Sequence, residues 1–261
     1  MTAPSEDLKA TIDDLQETII ELQVRLSHQK TALKSERNLR EKLDNTLIHH
    51  LKNAVGNANT FSEMLLNSDA SFTPEKMQKY LNVVHKSTGF SIALLSNYAK
   101  YLDSLKPISD EELETFCVHD LLDHRIDQLK SGERVLRPAK SGNNTTLILS
   151  NHADIQEVID QLLSNALRFS TEPSTVLTRI FDCDEAVCLS VKDSGIGISE
   201  EHIQAVTDPF FCVATYDGQQ ERCAGLGLTL TNNLLERNGA SLTIKSVLNE
   251  GTEVLIRLRK P

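Results

Sequence analysis

Apolar residues near the start of the chain recur at alternating steps of four and three. They stand at Leu8, Ile12, Leu15, Ile19, Leu22 and Leu26. This spacing is typical of a coiled-coil seam. No glycine or proline lies between Pro4 and Val55, so we predict one continuous helix that runs on to about Leu66. Since a lone helix cannot bury such a stripe, a parallel homodimer is expected.

The middle of this seam is less apolar. Gln29, Leu33, Glu36 and Arg40 occupy its positions before the apolar pattern returns at 43 and 47. Two interpretations stay open: the polar middle is a weakened seam that can shift its register, or it is a solvated connector.

A second helix is predicted from about Glu75 to Leu105. A polar stretch at 67–71 precedes it, and Thr73-Pro74-Glu75 combines a capping residue with a proline in the first turn. Pro107 ends the helix. Its apolar side carries Leu81, Val84, Ile92, Leu95, Tyr98 and Leu102. Two long helices joined by a short turn form a hairpin, and two hairpins make a four-helix bundle.

Beyond Pro107 the pattern changes to short strand-like runs mixed with helical segments. Strands are predicted over 115–118, 145–149, 176–181, 187–191, 241–247 and 251–258, and helices over 155–168, 199–206 and 228–238. This order favours an α+β sandwich. A proline-marked linker near 106–112 then divides the chain into 1–45, a coiled-coil helix, 46–106, a helical hairpin, and 112–261, the α+β domain.

Composition and charge exclude several functions. The formal net charge of -10 disfavours a nucleic-acid surface or an anionic membrane, because both attract basic patches. No apolar run approaches the roughly 18 residues of a transmembrane helix, and the polar residues 1–14 do not resemble a secretion signal. The cysteines at 117, 183, 188, 212 and 223 show no tight ligand spacing. Reduced thiols in a cytoplasmic protein are therefore expected.

Three polar or glycine-rich segments follow one another in the α+β region, and together they indicate a nucleotide pocket. Asn165 lies on a helix and offers the kind of oxygen ligand that Mg²⁺ prefers, while Arg168 on the same face can reach phosphate oxygens. Asp193 follows an apolar strand and can accept a hydrogen bond from an exocyclic amine such as that of adenine. Gly195 and Gly197 then allow the backbone to approach a flat base.

The second glycine pair, Gly225 and Gly227, precedes a helix. Bare amides at a helix N-terminus bind anions readily, so this pair is expected on the phosphate side of the pocket. The intervening loop, 208–224, is long for a connection and is a candidate lid.

Taken together, these segments resemble the ATP-binding domain of sensor histidine kinases and the wider gyrase, Hsp90, kinase and MutL (GHKL, Bergerat-type) ATPase family. Residues 161–170 resemble the N box, 193–198 the first G box, 208–211 the F box and 225–228 the second G box. Gly251-Thr252 sits where the family usually has a glycine and a hydroxyl residue near the base. The resemblance covers about 45–258.

The resemblance implies a dimeric four-helix bundle followed by a Bergerat-type α/β sandwich that binds ATP and Mg²⁺, with Asn165 as the metal ligand. The nucleotide-binding residues it implies are Asn165, Arg168, Phe169, Asp193, Gly195, Gly197, Ile198, Gly225, Leu226, Gly227, Leu228 and Thr252. The sequence departs from the family's pattern at Gln161, where asparagine is common, and at Cys223 and Ala240, where glycines are frequent.

Residues 49–54 resemble the family's H box, with His49 at the phosphate-accepting position. Leu51 and Val55 are expected to face the bundle core, which leaves His49 outward. The family usually has an acid after the acceptor, whereas this chain has His50, so slower autophosphorylation is expected. Asn53 matches the position that orients a water for dephosphorylation of the partner, which favours a phosphatase-like activity as well. Ala54 replaces a customary proline, so the usual helix bend is not expected.

The leading hypothesis is a cytoplasmic, dimeric histidine kinase core that passes phosphate to the aspartate of a response-regulator receiver domain. The alternative is a non-catalytic phosphotransfer or scaffold protein with a vestigial ATP pocket. A serine/threonine kinase of the anti-sigma type shares the ATP fold but has no helical hairpin, and it is the weakest of the three hypotheses.

Overall fold

The computed structural model describes residues 6–67, 72–129, 135–139, 146–170, 175–213 and 223–261. The chain divides into two compact units, residues 1–50 and 51–261. The expected division at 45 and near 106–112 stays a prediction. Among the described residues, no helix is long and apolar enough to cross a membrane.

The first helix, α1, runs without interruption from Glu6 to Leu66, which confirms the continuous helix. Ala54 lies within it, and the helix continues there. The predicted seam residues are largely exposed in a single chain: Leu15 is 56% exposed, and Ile19, Leu22, Leu26 and Leu33 are also more than half exposed. The side chains of Leu8 and Ile12 lie outside the described residues.

The second helix, α2, spans Pro74–Ser104 and begins as predicted. The hydroxyl of Thr73 accepts a hydrogen bond from the Lys76 amide (3.3 Å), and proline occupies the first turn. The Phe61 ring packs edge-on against Tyr80, with centroids 4.9 Å apart, and holds α2 against α1 as a hairpin. Part of the predicted polar break, 68–71, lies outside the described residues.

The exposed apolar face of the hairpin includes Leu81, Ile92 and Leu95 on α2. Val55 on α1 is also 56% exposed in a single chain, so its expected place in the core of a bundle of two hairpins stays a prediction. Ala54, by contrast, is buried within the single chain.

The α+β region contains two sheets. In the smaller one β1 (Glu114–Cys117) pairs antiparallel with β3 (Leu147–Ser150). The larger sheet contains β2 (Val135–Ala139), β4 (Thr175–Cys183), β5 (Ala186–Lys192), β6 (Ser241–Val247) and β7 (Gly251–Arg259). Its order is β2-β4-β5-β7-β6, and only the β2–β4 pair is parallel.

Three helices pack with this sheet around one core: α3 (Val118–Leu129), α4 (His152–Phe169) and α5 (Gly227–Arg237). Ile155, Ile159 and Leu163 recur every four residues along α4 and are fully buried. β5 is buried along most of its length, whereas β6 alternates between exposed and half-buried positions. The α+β sandwich is therefore confirmed.

Some expected elements differ. The helix predicted over 199–206 is a 3-10 turn at Glu200–His202 followed by irregular turns, because an eight-residue segment with few apolar positions cannot sustain a helix by itself. Two elements, α3 and β2, were not expected from the sequence. The strand expected from 145 begins at Leu147, and residue 145 lies outside the described residues.

The expectation that all cysteines are reduced thiols is wrong for two of them. Cys183 and Cys188 form a disulfide, with their Cα atoms 6.0 Å apart. They stand near the ends of β4 and β5, which are joined by a tight turn at 184–185, so the hairpin brings together two residues only five apart in sequence.

A buried ion pair joins the helices of the α+β region. Both carboxylate oxygens of Asp154 accept from the Arg237 guanidinium, Nε at 2.7 Å and Nη2 in a second short bond. Asn238 donates to the same carboxylate (2.7 Å), and Arg237 also donates to the backbone carbonyl of Asp103 at the end of α2 (2.9 Å). The hydrogen bonds that the guanidinium donates to Asp154 raise the pKa of Arg237 above its ordinary value. One side-chain pair thus fixes α4, α5 and the end of α2.

We predict that Asp154→Ala lowers the free energy of unfolding by about 3–5 kcal/mol, because it leaves a buried guanidinium without its carboxylate. Chemical denaturation followed by circular dichroism measures the change. Asp123→Ala, on the exposed face of α3, is the control and is expected to change stability by no more than about 0.5 kcal/mol. Equal effects of the two substitutions would contradict the structural role of the pair.

Candidate functional site

A cleft of about 1080 Å³, counting its solvent-open mouth, lies between α4, the loop after β5 and the start of α5. The predicted residues that line it are Asn165, Arg168, Phe169, Asp193, Gly197, Ile198, Gly225, Leu226, Gly227, Leu228 and Thr252. Segments that are as much as 87 residues apart in sequence therefore meet at one cavity, as the sequence predicts.

One wall of the cleft is built around Asp193, which is 8% exposed. Its Oδ1 accepts hydrogen bonds from the amides of Gly195 (2.8 Å) and Thr252 (3.1 Å). Burial raises the pKa of this carboxyl, and the two amides oppose that shift. Among the described residues Oδ2 has no hydrogen-bond partner, so it remains able to accept from a ligand.

Gly195 was expected to lie against the base, but it does not line the cleft. A Cβ at Gly195 would stand 2.2 Å from the carbonyl oxygen of Phe169, at the end of α4. Its contacts show a different contribution: the amide fixes Asp193, and the missing side chain lets the loop pack against α4. The neighbouring Ile196 amide also donates to that carbonyl (3.2 Å).

Gly251 packs closely against the backbone of Asp193. It has φ +121°, and a Cβ there would stand 2.2 Å from the Asp193 carbonyl oxygen, so a side chain at 251 would push the carboxylate wall away. Ser246, which the sequence analysis missed, accepts from the Ile198 amide (2.8 Å) and donates to the Gly251 carbonyl (2.8 Å). Ser246 occupies one of the half-buried positions in the alternating pattern of β6, and a polar residue at such a position could have identified it from the sequence.

The opposite side of the cleft is built around Gly227, the first residue of α5. A Cβ at Gly227 would stand 2.9 Å from Oε1 of Gln161 and 3.5 Å from Nδ2 of Asn165. Two carboxamides on α4 therefore border a space that only a glycine leaves open, next to a helix N-terminus. This arrangement suits an anion such as a phosphate.

Helix α2 also reaches the cleft, which the sequence analysis did not predict. Asn97 lines it. One turn later, Lys100 forms an ion pair with Glu157 (2.7 Å), and Glu157 accepts from the side chain of Gln161 (2.8 Å). A chain of contacts thus runs from α2 to the carboxamide beside Gly227.

The F box forms a second connection to α2. The Phe210 ring stacks on Tyr98, with centroids 6.3 Å apart, and Phe210 has the unusual φ of +64° for a residue with a side chain. Phe211 lines the cleft instead. Residues 214–222 of the expected lid lie outside the described residues, so the lid stays a prediction.

The histidine pair belongs to the unit formed by 1–50. His49 is exposed, as expected, and His50 is half-buried, with ring centroids 6.1 Å apart. Asn53, four residues after His49 on the same continuous helix, is exposed.

The region of the chain that forms most of this cleft is similar to known proteins. Residues 150–261 match the family of histidine kinase-, DNA gyrase B- and HSP90-like ATPases. The chain is 25% identical over 261 residues to the histidine protein kinase SaeS of Staphylococcus epidermidis, covering 95% of this chain and 72% of that protein. It is 26% identical to the cell-division control histidine kinase PdhS of Brucella canis, covering 80% of this chain but only 21% of PdhS.

The fold is shared with solved histidine kinases. The structure of the Acinetobacter baumannii histidine kinase AdeS aligns with a TM-score of 0.56 and 16% identity, covering 81% of this chain and 97% of AdeS. Residues 150–261 are therefore an ATP-binding domain of the matched ATPase family. The curated relatives that match the helices as well are named histidine kinases, and this chain is similar to them.

Gly227→Ala is expected to weaken nucleotide binding about tenfold or more, because the new Cβ fills the space beside Gln161 and Asn165. Alanine is a better helix former than glycine, so the fold should be kept. Titration with a fluorescent ATP analogue measures the affinity. Gly89→Ala in α2, where a Cβ meets nothing within 4 Å, is the matched control and should leave affinity unchanged. Unchanged binding by Gly227→Ala would place the anion elsewhere.

Nucleotide affinity is expected to fall as pH falls through the raised pKa of Asp193, because only the carboxylate accepts strongly from an amine. The stability of the ligand-free protein changes with pH in the opposite sense. A raised folded-state pKa means that ionisation lowers stability as pH rises through the same window. Asp193→Asn should therefore weaken nucleotide binding about tenfold or more while it stabilises the empty fold at neutral pH.

Calorimetric titration from about pH 4, the ordinary range of an aspartate, upward to neutral pH, paired with thermal unfolding, checks both effects. Asp184→Asn, in the exposed turn between β4 and β5, makes the same chemical change away from the cleft and should alter neither. Affinity that does not change with pH in the wild type would remove Asp193 from ligand recognition.

Proposed function

We propose that this chain is the ATP-dependent kinase core of a two-component system, in which the cleft binds Mg²⁺-ATP and His49 accepts the γ-phosphoryl group. The observation that carries the proposal is the cleft itself: a carboxylate wall at Asp193 faces a glycine-bordered anion site at Gly227. The histidine kinase relatives extend over the helices that carry His49. The whole reaction and its partners are part of the proposal.

Asn165 fits the metal's role. Its carboxamide borders the space at Gly227, and Mg²⁺ prefers oxygen ligands and keeps several waters. When bound, the ion would neutralise charge on the phosphate oxygens. Arg168, on the same helix and lining the same cleft, supplies a fixed positive charge to the phosphates.

Transfer requires a neutral imidazole in line with the γ-phosphate. A nitrogen–phosphorus bond forms on His49, and the bond from phosphorus to the ADP oxygen breaks. His49 is the exposed member of the pair, whereas His50 is half-buried, which favours His49 as the acceptor. We propose His50 as the group that takes the imidazole proton, and Asn53 as the residue that orients water for the reverse, phosphatase-like reaction.

The exposed apolar stripes support a homodimer. Leu15, Leu22 and Leu33 follow one side of α1, and Ile92 on α2 is 69% exposed. A second copy of this chain covers such stripes in a coiled coil followed by a four-helix bundle. A response-regulator receiver domain is the proposed partner, since the phosphoryl group on His49 needs an acceptor.

Incubation with Mg²⁺ and γ-labelled ATP tests this function. Wild type should acquire acid-labile label; His49→Gln should acquire none but still bind nucleotide. Asn165→Ala should lose both the label and Mg²⁺-dependent affinity. His85→Gln, an exposed histidine on α2, is the control and should be labelled normally.

The competing function is a non-catalytic phosphotransfer or scaffold protein. Cys223 just before the second G box and His50 in the H box favour it, because both depart from the family's pattern. A protein that binds no Mg²⁺-ATP in this assay, yet accepts phosphate on His49 from a phosphorylated receiver domain, would establish this alternative.

A further inference from the structure

Two cysteines that the proposed function does not use lie in the wall of the nucleotide cleft. Cys212 follows the F box and Cys223 precedes the second G box, and both line the same cavity as Asn165 and Asp193. Both are half-buried, and neither is in a disulfide.

The backbones beside these cysteines are pinned together. The Phe210 amide donates to the Gly225 carbonyl (2.7 Å), and a Cβ at Gly225 would stand 2.5 Å from the carbonyl carbon of Phe210. Cys212 lies two residues after this contact and Cys223 two residues before it. Two residues extend the chain by at most about 7 Å, so both Cα atoms stay near the contact point.

The two cysteines lie on either side of this contact, and both border the same cavity, which places the two thiols at one wall of the cleft. A disulfide requires Cα atoms about 4.4–6.8 Å apart, a separation within reach of two residues that each lie within about 7 Å of one point.

We propose that Cys212 and Cys223 form a thiol pair that is oxidised to a disulfide by a peroxide and that this bond lowers the affinity of the cleft for nucleotide. The thiolate of one cysteine attacks a peroxide oxygen, the O–O bond breaks, and a sulfenic acid and water result. The second thiolate attacks the sulfenic sulfur, the S–S bond forms, and a second water leaves. Two thiols lose two electrons, and hydrogen peroxide gains them.

A disulfide between Cys212 and Cys223 is expected to weaken nucleotide binding because both residues line the cleft. A disulfide draws the two Cβ atoms to about 3.8 Å, so both cleft-lining segments lose their freedom to adjust around a ligand. Oxidation should weaken binding of an ATP analogue at least fivefold, and a reductant should reverse the loss. This second part rests on the proposed nucleotide site, whereas formation of the bond does not.

Peptide mapping of the intact protein tests the bond directly. Trypsin cuts after Lys192, Arg222 and Arg237, so the two cysteines fall on different peptides, 193–222 and 223–237. Cys183 and Cys188 share a third peptide, 180–192, and cannot be confused with them. After treatment with hydrogen peroxide, non-reducing mass spectrometry should show 193–222 joined to 223–237.

Matched variants complete the test. Cys212→Ser and Cys223→Ser should each abolish the cross-linked peptide and the peroxide sensitivity of binding, while Cys117→Ser on β1 should change neither. Cross-links of Cys212 or Cys223 to Cys117, or oxidation of each thiol to separate acids, would overturn the pair. A cross-link that forms without loss of affinity would overturn the effect on binding, and a protein that binds no nucleotide in either state refutes the proposed function but not the pair.

Discussion

The architecture of the larger unit depends on the buried pair between Asp154 and Arg237. A carboxylate near the start of α4 and a guanidinium at the end of α5 leave little choice in how these helices pack, because separating them would strand a charge. Asn238 completes the pair, accepting from Ser150 (2.8 Å) at the end of β3. The start of α5, where Gly227 borders the cleft, is therefore held against the part of α4 that carries Asn165.

Arg237 of this pair also contacts the helical hairpin. Arg237 binds the carbonyl of Asp103, and two further contacts between α2 and the ATP-binding domain, Lys100 with Glu157 and Tyr98 with Phe210, lie closer to the cleft. The Lys100–Glu157 ion pair lies beside the carboxamide of Gln161, and the Tyr98–Phe210 stack holds the F box. Movement of α2 would thus be felt on two sides of the nucleotide site, which offers a physical route from the helices to the cleft.

Sequence patterns predicted elements well where a single period dominates. The four-residue spacing of apolar positions along α4 and the capping signal at Thr73 needed no tertiary information. The same reasoning missed α3, although Val118, Leu121 and Leu122 carry its helical spacing, because the segment is short and follows a strand directly.

The site was predictable as a set of residues but not as a set of roles. Gly195 belongs to the first G box by sequence, yet its packing against Phe169 turns it toward α4 and away from the cleft. Asn97 and Ser246 carry no motif, and their positions depend on how distant elements pack. The disulfide of Cys183 with Cys188 likewise follows from the β4–β5 hairpin and not from the spacing of the cysteines.

The proposed reaction joins this cleft to one imidazole, that of His49. Site-resolved mass spectrometry under non-acidic conditions, after incubation with Mg²⁺-ATP and with fragmentation that preserves phosphohistidine, tests it most directly. The account predicts phosphate on His49 and none on its neighbour His50. Phosphate on His50 alone, on a serine or threonine, or on no residue of a protein that binds ATP would contradict it.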